Sequence, residues 1–312
     1  MTLDFVNAAK TGQWKVRGAS LTGDCEGVAF VGERSWWGGR WTVVGEAPFA
    51  MPEKVVLFVS EEGMEHGFWR DMTVGDSNFD YRHFVFCDTP GLLQLIVGPS
   101  TRDAIGRRGK GKPIVVYARD GLLRTKGTND DNDETAIARH VAIHRAFAED
   151  HAALVAKWQS CLASASGRGN STWPLSGQIN SRVGTLLVGL TWEMRPETRD
   201  GAEWESSYRS LRTEVSAFGD REKARWVLEE VGEGIRATHA VGQRRYALTG
   251  TPSVSFDRIA TLVEEADLVS LAFGPKLVVS LSDLANERRL QAAVALIEEL
   301  LQAQSTSRSP YR

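Results

Sequence analysis

The chain has 312 residues, 42% hydrophobic and 25% charged, with 30 Gly and 10 Pro, a composition close to that of soluble globular proteins and far from disordered, collagenous or membrane-spanning chains. At about 150 residues per domain, this length predicts two domains or one large one, either able to bury a sizeable core without staples. A formal charge of -3 gives no basic footprint for nucleic acid and no strong acidic field, so nucleic-acid binding is not expected.

Met1-Thr2-Leu3-Asp4-Phe5 begins without a positive n-region, and no apolar run approaches the roughly 18 residues that cross a bilayer. The expectation is a cytoplasmic protein without a membrane span. Short strands separated by Gly-rich turns are predicted near 14–20, 27–32, 40–46, 54–60, 80–87, 113–119 and 122–126. The three cysteines, Cys25, Cys87 and Cys161, are odd in number and far apart, which suits reduced thiols. Cys25 sits between Asp24 and Glu26, where negative neighbours disfavour a thiolate nucleophile. Trp36-Trp37-Gly38-Gly39-Arg40-Trp41 gathers three of the ten tryptophans around a Gly-Gly turn. Adjacent strand residues point to opposite faces, so one core cannot bury both Trp36 and Trp37. Exposed aromatics beside an arginine have the composition of a binding hot spot, with Trp36, Trp37, Arg40 and Trp41 the expected contact residues; the alternative is that one Trp packs on the sheet while the other covers an edge.

Gly75-Asp76-Ser77-Asn78-Phe79-Asp80-Tyr81-Arg82-His83-Phe84-Val85-Phe86 runs into Thr89-Pro90-Gly91-Leu92-Leu93. It joins a polar turn, an aromatic strand and a helix that Asp88 or Thr89 can cap, with Pro90 at its first position. The Asp of such a turn accepts local backbone N–H bonds, and Phe79 buries an edge beside it. The segment also holds acid, base and ligand groups together in Asp76, Asp80 and His83. Over residues 14 to 150 the chain resembles uncharacterised bacterial proteins, myxobacterial in type, in which a Gly-Asp-x-x-Phe-Asp turn precedes an apolar strand and a short helix. The resemblance implies no activity.

Gly106-Arg107-Arg108-Gly109-Lys110-Gly111-Lys112-Pro113 nearly matches a phosphate-binding loop, with Pro113 where the magnesium hydroxyl should stand. The order of elements refutes it, because this segment leaves a helix and enters a strand. Arg119-Asp120-Gly121-Leu122 is a two-residue hairpin signal. The longest helix is predicted from Glu134 to Ala163, after the acidic cap Asn129-Asp130-Asp131-Asn132-Asp133, which lacks the Gly and Glu of a calcium loop.

His140, His144 and His151 lie on that helix within about 40° of one another at 100° per residue. Ile137, Val141, Phe147, Val155, Trp158 and Leu162 flank the same stripe, so the imidazoles are expected to face the interior, where a ring nitrogen needs a partner. The spacing also lets His140 and His144 share a divalent transition metal, with His83 and Asp80 the nearest further ligands by chemistry.

Ala163-Ser164-Ala165-Ser166-Gly167-Arg168-Gly169-Asn170-Ser171 has little to bury, which places a linker at 164–171 between domains 1–163 and 172–304. The second half predicts strands near 172–178, 183–193 and 206–217, a helix near 220–232, strands near 235–241 and 244–250, and helices near 254–272 and 284–304. The halves read as diverged copies offset by roughly 120 residues, each with strand, turn, strand and helix. Leu290, Val294, Ile297 and Leu301 form a narrow apolar seam on the last helix, for docking on its own domain or for self-association. Residues 305–312 are expected to be a disordered tail.

The fold class expected is α+β, with two related domains, each a mostly antiparallel sheet packed with a long helix. The function expected is that of a non-catalytic binding or assembly protein of a bacterial cytoplasm, meeting a protein partner through the Trp-rich hairpin or associating with itself, with no cofactor. The alternative is a metal-dependent enzyme or metal-binding protein with its site near Asp76–His83 and His140/His144. A third class, carriage of an apolar small ligand, requires a cavity between sheet and helix.

Overall fold

Alternation of inward and outward residues with period two makes strands of most of the chain; the run Arg40–Pro48 buries every second side chain from Trp41 to Gly45. The computed structural model describes residues 13–17, 19–34, 40–49, 55–61, 71–107, 113–130, 135–197, 206–218, 226–231, 239–252, 254–282 and 284–306. The architecture is α+β, with two antiparallel sheets and their helices. The chain divides into two compact units, residues 1–154 with 199–209 and residues 155–198 with 210–312.

The first unit contains β1 (Gln13–Arg17), β2 (Ser20–Cys25), β3 (Val28–Arg34), β4 (Arg40–Pro48), β5 (Leu57–Glu61), α1 (Ser77–Asp80), β6 (His83–Cys87), α2 (Pro90–Ile96), α3 (Pro99–Gly106), β7 (Val115–Arg119) and β8 (Leu122–Asp130). It also holds residues 136–154 of the long helix α4 (Ala136–Ser164). The eight strands lie in the order β1-β2-β3-β4-β8-β7-β5-β6. Two tight corners are made by residue pairs at positive φ, Glu26-Gly27 at 53° and 79° and Asp120-Gly121 at 53° and 73°, the twist that suits two-residue hairpins.

Strands β4 and β8 pair along their length, from Arg40 opposite Asp130 to Pro48 opposite Leu122. This register sets Gly45 against Thr125 and Val43 against Gly127. Leu21, Cys25, Val28, Phe30, Trp41 and Val43 from the sheet close on Ile137 and Val141 of α4 to form the core. Each large apolar side chain buried there contributes roughly 1.5–3 kcal/mol.

The Gly-Asp-x-x-Phe-Asp segment is a structural lock. Asp76 caps α1 by accepting from the amides of Asn78 and Phe79, both at 3.2 Å. Asp80 turns back to accept from Val74 N at 2.8 Å and Asp76 N at 3.1 Å. The strand expected over 80–87 therefore begins only at His83, because residues 77–80 close a helical turn. Asp88 accepts from Val56 N at 3.0 Å and leaves the start of α2 to Thr89 and Pro90. The buried carboxylate of Asp150, on α4, accepts from Thr101 N at 2.8 Å and Ser100 N at 3.3 Å, which meets the unpaired first-turn amides and positive end of α3.

The second unit contains β9 (Gly167–Gly169), β10 (Ser176–Ser181), β11 (Gly184–Glu197), β12 (Ser206–Phe218, from Ser210 onward), β13 (Trp226–Glu230), β14 (His239–Val241), β15 (Arg244–Thr249), α5 (Phe256–Ala266), β16 (Leu268–Phe273), β17 (Lys276–Ser282) and α6 (Glu287–Thr306). Its nine strands run β14-β15-β13-β16-β17-β12-β11-β10-β9. Within the stretch 164–171, Gly167–Gly169 pair with β10. The helix expected over 254–272 ends at Ala266, where Asp267 takes the left-handed conformation with φ 53°, and Leu268–Phe273 continue as a strand; a short apolar run does not distinguish the two by periodicity. Where a helix was expected over 220–232, Trp226–Glu230 form a strand with Trp226 and Leu228 inward and Val227 and Glu229 outward, and residues 219–225 lie outside the described residues.

Leu290 and Ile297 are fully buried in this unit, Val294 and Leu301 half-buried, and α6 packs on α5. The apolar seam thus serves its own unit's core. No described helix is long and apolar enough to cross a membrane. The last helix runs to Thr306, and residues 307–312 lie outside the described residues.

Close packing at the β4–β8 seam sets a test. A Cβ at Gly45 would stand 2.7 Å from Phe30 Cε1 and 3.0 Å from Thr125 Oγ1, and Phe30 is itself enclosed. Gly45→Ala is expected to lower unfolding free energy by about 1–3 kcal/mol, read from urea denaturation; an unchanged midpoint would show that the seam yields.

Candidate functional site

His140 and His144 are successive inward positions of α4, one turn apart, and both reach the seam beneath it. His140 Nδ1 lies 2.7 Å from Thr125 Oγ1 and His144 Nε2 lies 3.1 Å from the same oxygen. Thr125 Oγ1 is also 3.4 Å from the Gly45 carbonyl. His140 and Thr125 are 0% exposed and His144 is 7% exposed. Two glycines make the space: Gly45 lies opposite Thr125 in the ladder, and a Cβ at Gly127 would approach His140 Nε2 to 3.1 Å. The Phe30 ring meets His140 edge-on, with centroids 6.0 Å apart.

The hydroxyl has one proton and two lone pairs, whereas a carbonyl oxygen only accepts. Thr125 Oγ1 donates to the Gly45 carbonyl, which leaves its lone pairs to accept from the two imidazoles, and His144 Nδ1 has no partner among the described residues. Nε2 of His144 therefore carries the hydrogen, and Nδ1 is a bare lone pair. Burial holds His140 down to about 3, helped by His144 and Arg139. Burial likewise brings His144 to about 4 against the pull of Gly45, and it lowers His151. All three imidazoles are neutral at pH 7.

Beside this chain, between the sheet and α4, opens a cleft of about 400 Å³ lined by Glu26, Gly27, Val28, Ala47, Pro48, Phe49, Leu123, Val141, His144, Arg145, Ala148 and His151. The volume falls in the range of small-molecule sites. Its walls are apolar, with Phe49 braced edge-on by Phe147 at 5.4 Å. Arg145 and Glu26, both lining residues, form an ion pair. Beyond that ion pair, His144 and His151 are the other polar side chains of the wall, and His151 Nε2 is buried without a partner among the described residues.

The other residues singled out by sequence sit elsewhere. His83 donates from Nδ1 to the Phe79 carbonyl at 3.0 Å and stacks on the Phe79 ring at 4.2 Å. Asp80 is committed to the amides of Val74 and Asp76. The ring nitrogens of His140 and His144 that converge meet on a hydroxyl, and among the described residues no three His, Cys, Asp or Glu side chains gather as a metal site would need. Trp41, expected as an exposed contact, is 1% exposed and belongs to the core, because it falls on the inward face of β4; Arg40 is exposed, and Trp36 and Trp37 lie outside the described residues. Burial raises the Cys87 thiol to about 12 and the Cys161 thiol to about 11, which makes both poor nucleophiles.

Thr125, Gly45, Phe49, Arg145 and Glu26 were not singled out by sequence. The histidine stripe signalled that partners were needed, but they come from β4, β8 and the β2–β3 corner, up to 119 residues away in the case of Arg145 and Glu26.

No protein-family model matches the chain, and no curated protein matches it. Among solved structures, the mycobacterial trehalose monomycolate transport factor A, TtfA, aligns with 47% of this chain and 92% of its own, at 8% identity and a TM-score of 0.33.

Unfolded histidine binds its proton near 6.5, whereas folded His140 and His144 bind theirs near 3 and 4. Between those values the unfolded chain holds more protons, so this stability is fully present above pH 6.5 and is lost as pH falls. From pH 7 to pH 4 the His140 contribution alone is about 3 kcal/mol. Urea titrations across that range should show stability falling with acid and a shallower slope in His140→Phe; parallel slopes would rule out His140 as a source.

Proposed function

We propose that this is a non-catalytic binding protein whose first unit takes up an apolar small molecule in the cleft between its sheet and α4. The observation that carries the reading is the roughly 400 Å³ cavity, walled by Val28, Ala47, Pro48, Phe49, Leu123, Val141 and Ala148 and furnished with two imidazoles. Ligand sites commonly combine apolar walls with a few fixed polar groups. The same reading fits the reactive side chains, whose capacities are spent on structure: Asp76, Asp80 and Asp150 on backbone amides, and the Cys87 and Cys161 thiols on burial. The main expectation from sequence is a protein partner met through the Trp-rich hairpin; carriage of an apolar small ligand is its third class, and the cleft favours that class.

A ligand of about ten non-hydrogen atoms that buries most of its surface would bind in the micromolar range. Naphthalene, followed by its fluorescence, is a suitable neutral probe. Ala148 is an exposed helix residue lining the cleft, so Ala148→Phe should fill the site and weaken binding at least about tenfold with the thermal midpoint unchanged. Equal affinity in the two proteins would overturn the reading.

A further inference from the structure

We propose that the ligand of this cleft has an apolar body and a head of no net charge that both donates and accepts hydrogen bonds, a primary carboxamide being the simplest, and that the Glu26–Arg145 ion pair receives the head. The inference rests on the small-molecule reading above and names the chemistry that reading leaves open. The lining is graded from floor to rim. Val28, Phe49, Leu123, Val141 and His144 are its buried members, and His144 Nε2 is committed to Thr125. Glu26, Gly27, Pro48, Arg145 and Ala148 are its exposed members. An apolar body gains most on the floor, where carbon surrounds it. A polar head keeps its hydrogen bonds only at the rim, where the charged side chains stand.

The nature of the head follows from that pair. It joins the β2–β3 corner to α4 and stays open to solvent, with the Glu26 side chain 45% and the Arg145 side chain 60% exposed. Arg145 Nη2 donates to Glu26 Oε2, and neither side chain has another partner among the described residues. A guanidinium carries five N–H donors and a carboxylate about four lone-pair sites, so one contact leaves spare donors standing beside spare acceptors. A carboxamide complements both at once: its carbonyl accepts from Arg145 while its NH2 donates to Glu26, and the pair stays whole. A carboxylate head would meet Arg145 but be repelled by Glu26, and an ammonium head would meet Glu26 but be repelled by Arg145. Among the described lining residues no further charged side chain offsets either repulsion.

The test uses the full chain, titrated calorimetrically with four probes that share one ring system: 2-naphthamide, 2-acetonaphthone, 2-naphthoate and 2-naphthylmethylammonium. The ketone has the shape of the amide and its acceptor but lacks the donor. The expected result is that the amide binds about fivefold more tightly than the ketone and more tightly than either charged probe. In Glu26→Ala the preference for amide over ketone should fall to near unity, and in Arg145→Met both amide and ketone should weaken. If Glu26→Ala fails to fold, the charged probes and Arg145→Met, at an exposed helix position, decide the matter. Equal binding of amide and ketone would overturn donor recognition and leave the cleft as a site for apolar molecules. Tighter binding of either charged probe would show one member of the pair acting alone and overturn the neutral head. An amide preference that survives Glu26→Ala would overturn the role given to the pair. Binding of none of the four would overturn the cleft reading and this inference with it.

Discussion

One threonine hydroxyl decides how the long helix lies on its sheet. Thr125 Oγ1 meets His140, His144 and the Gly45 carbonyl, with Thr125 and His140 0% exposed and His144 at the edge of the cleft. At such buried positions a donor that loses its acceptor incurs the cost of desolvation. A rotation of α4 that moved either imidazole off Thr125 would strand polar atoms among Phe30, Trp41, Val43 and Val141. The apolar core alone would tolerate several helix rotations of similar energy. The polar chain selects one of them, and the cleft beside it follows from that choice.

The same logic recurs where the backbone lacks partners. In the first unit, aspartates stand in for missing secondary-structure bonds: Asp71 accepts from Val85 N at 2.9 Å, Asp76 and Asp80 close the turn before β6, and Asp88 holds Val56. These carboxylates cluster in sequence and invite a reading as acid–base or metal-binding chemistry. Their geometry shows oxygens directed at amides, which is the arrangement that satisfies exposed N–H groups at turns and helix starts. Chemical capacity and structural employment compete for the same atoms, and here employment takes precedence.

Much of the fold could be read from the chain. Alternation gave most strands of the first unit, Asp120-Gly121 gave its hairpin, and the apolar periodicity of Ile137, Val141 and Phe147 gave the long helix. The misreadings share a cause. Leu268–Phe273 is apolar at nearly every position, so neither period is visible, and what ends the helix is a left-handed Asp267 that no local pattern marks. Trp226–Glu230 is too short for its alternation to outweigh a helical reading. Proximity to the Gly-Gly turn groups Trp41 with Trp36 and Trp37 at an exposed tip, whereas its inward alternation with Val43 marks it as core. For the site, the histidine stripe announced buried imidazoles in search of partners. The partner itself, a single Thr on β8, carries no signal, because its role depends on the pairing of Gly45 with Thr125 across about 80 residues of sequence.

That pairing also constrains how the chain can diverge. Gly45 leaves room for Phe30 and Thr125, Gly127 leaves room for His140, and Thr125 satisfies two imidazoles at once. A change at any one of the six is unfavourable while the other five remain. The six could nevertheless drift together, for example to an all-apolar set with a bulkier strand residue and a smaller helix residue. In a lineage of such proteins these positions would behave as one inherited character, exchanged as a block, while the walls of the neighbouring cleft remained free to vary one residue at a time.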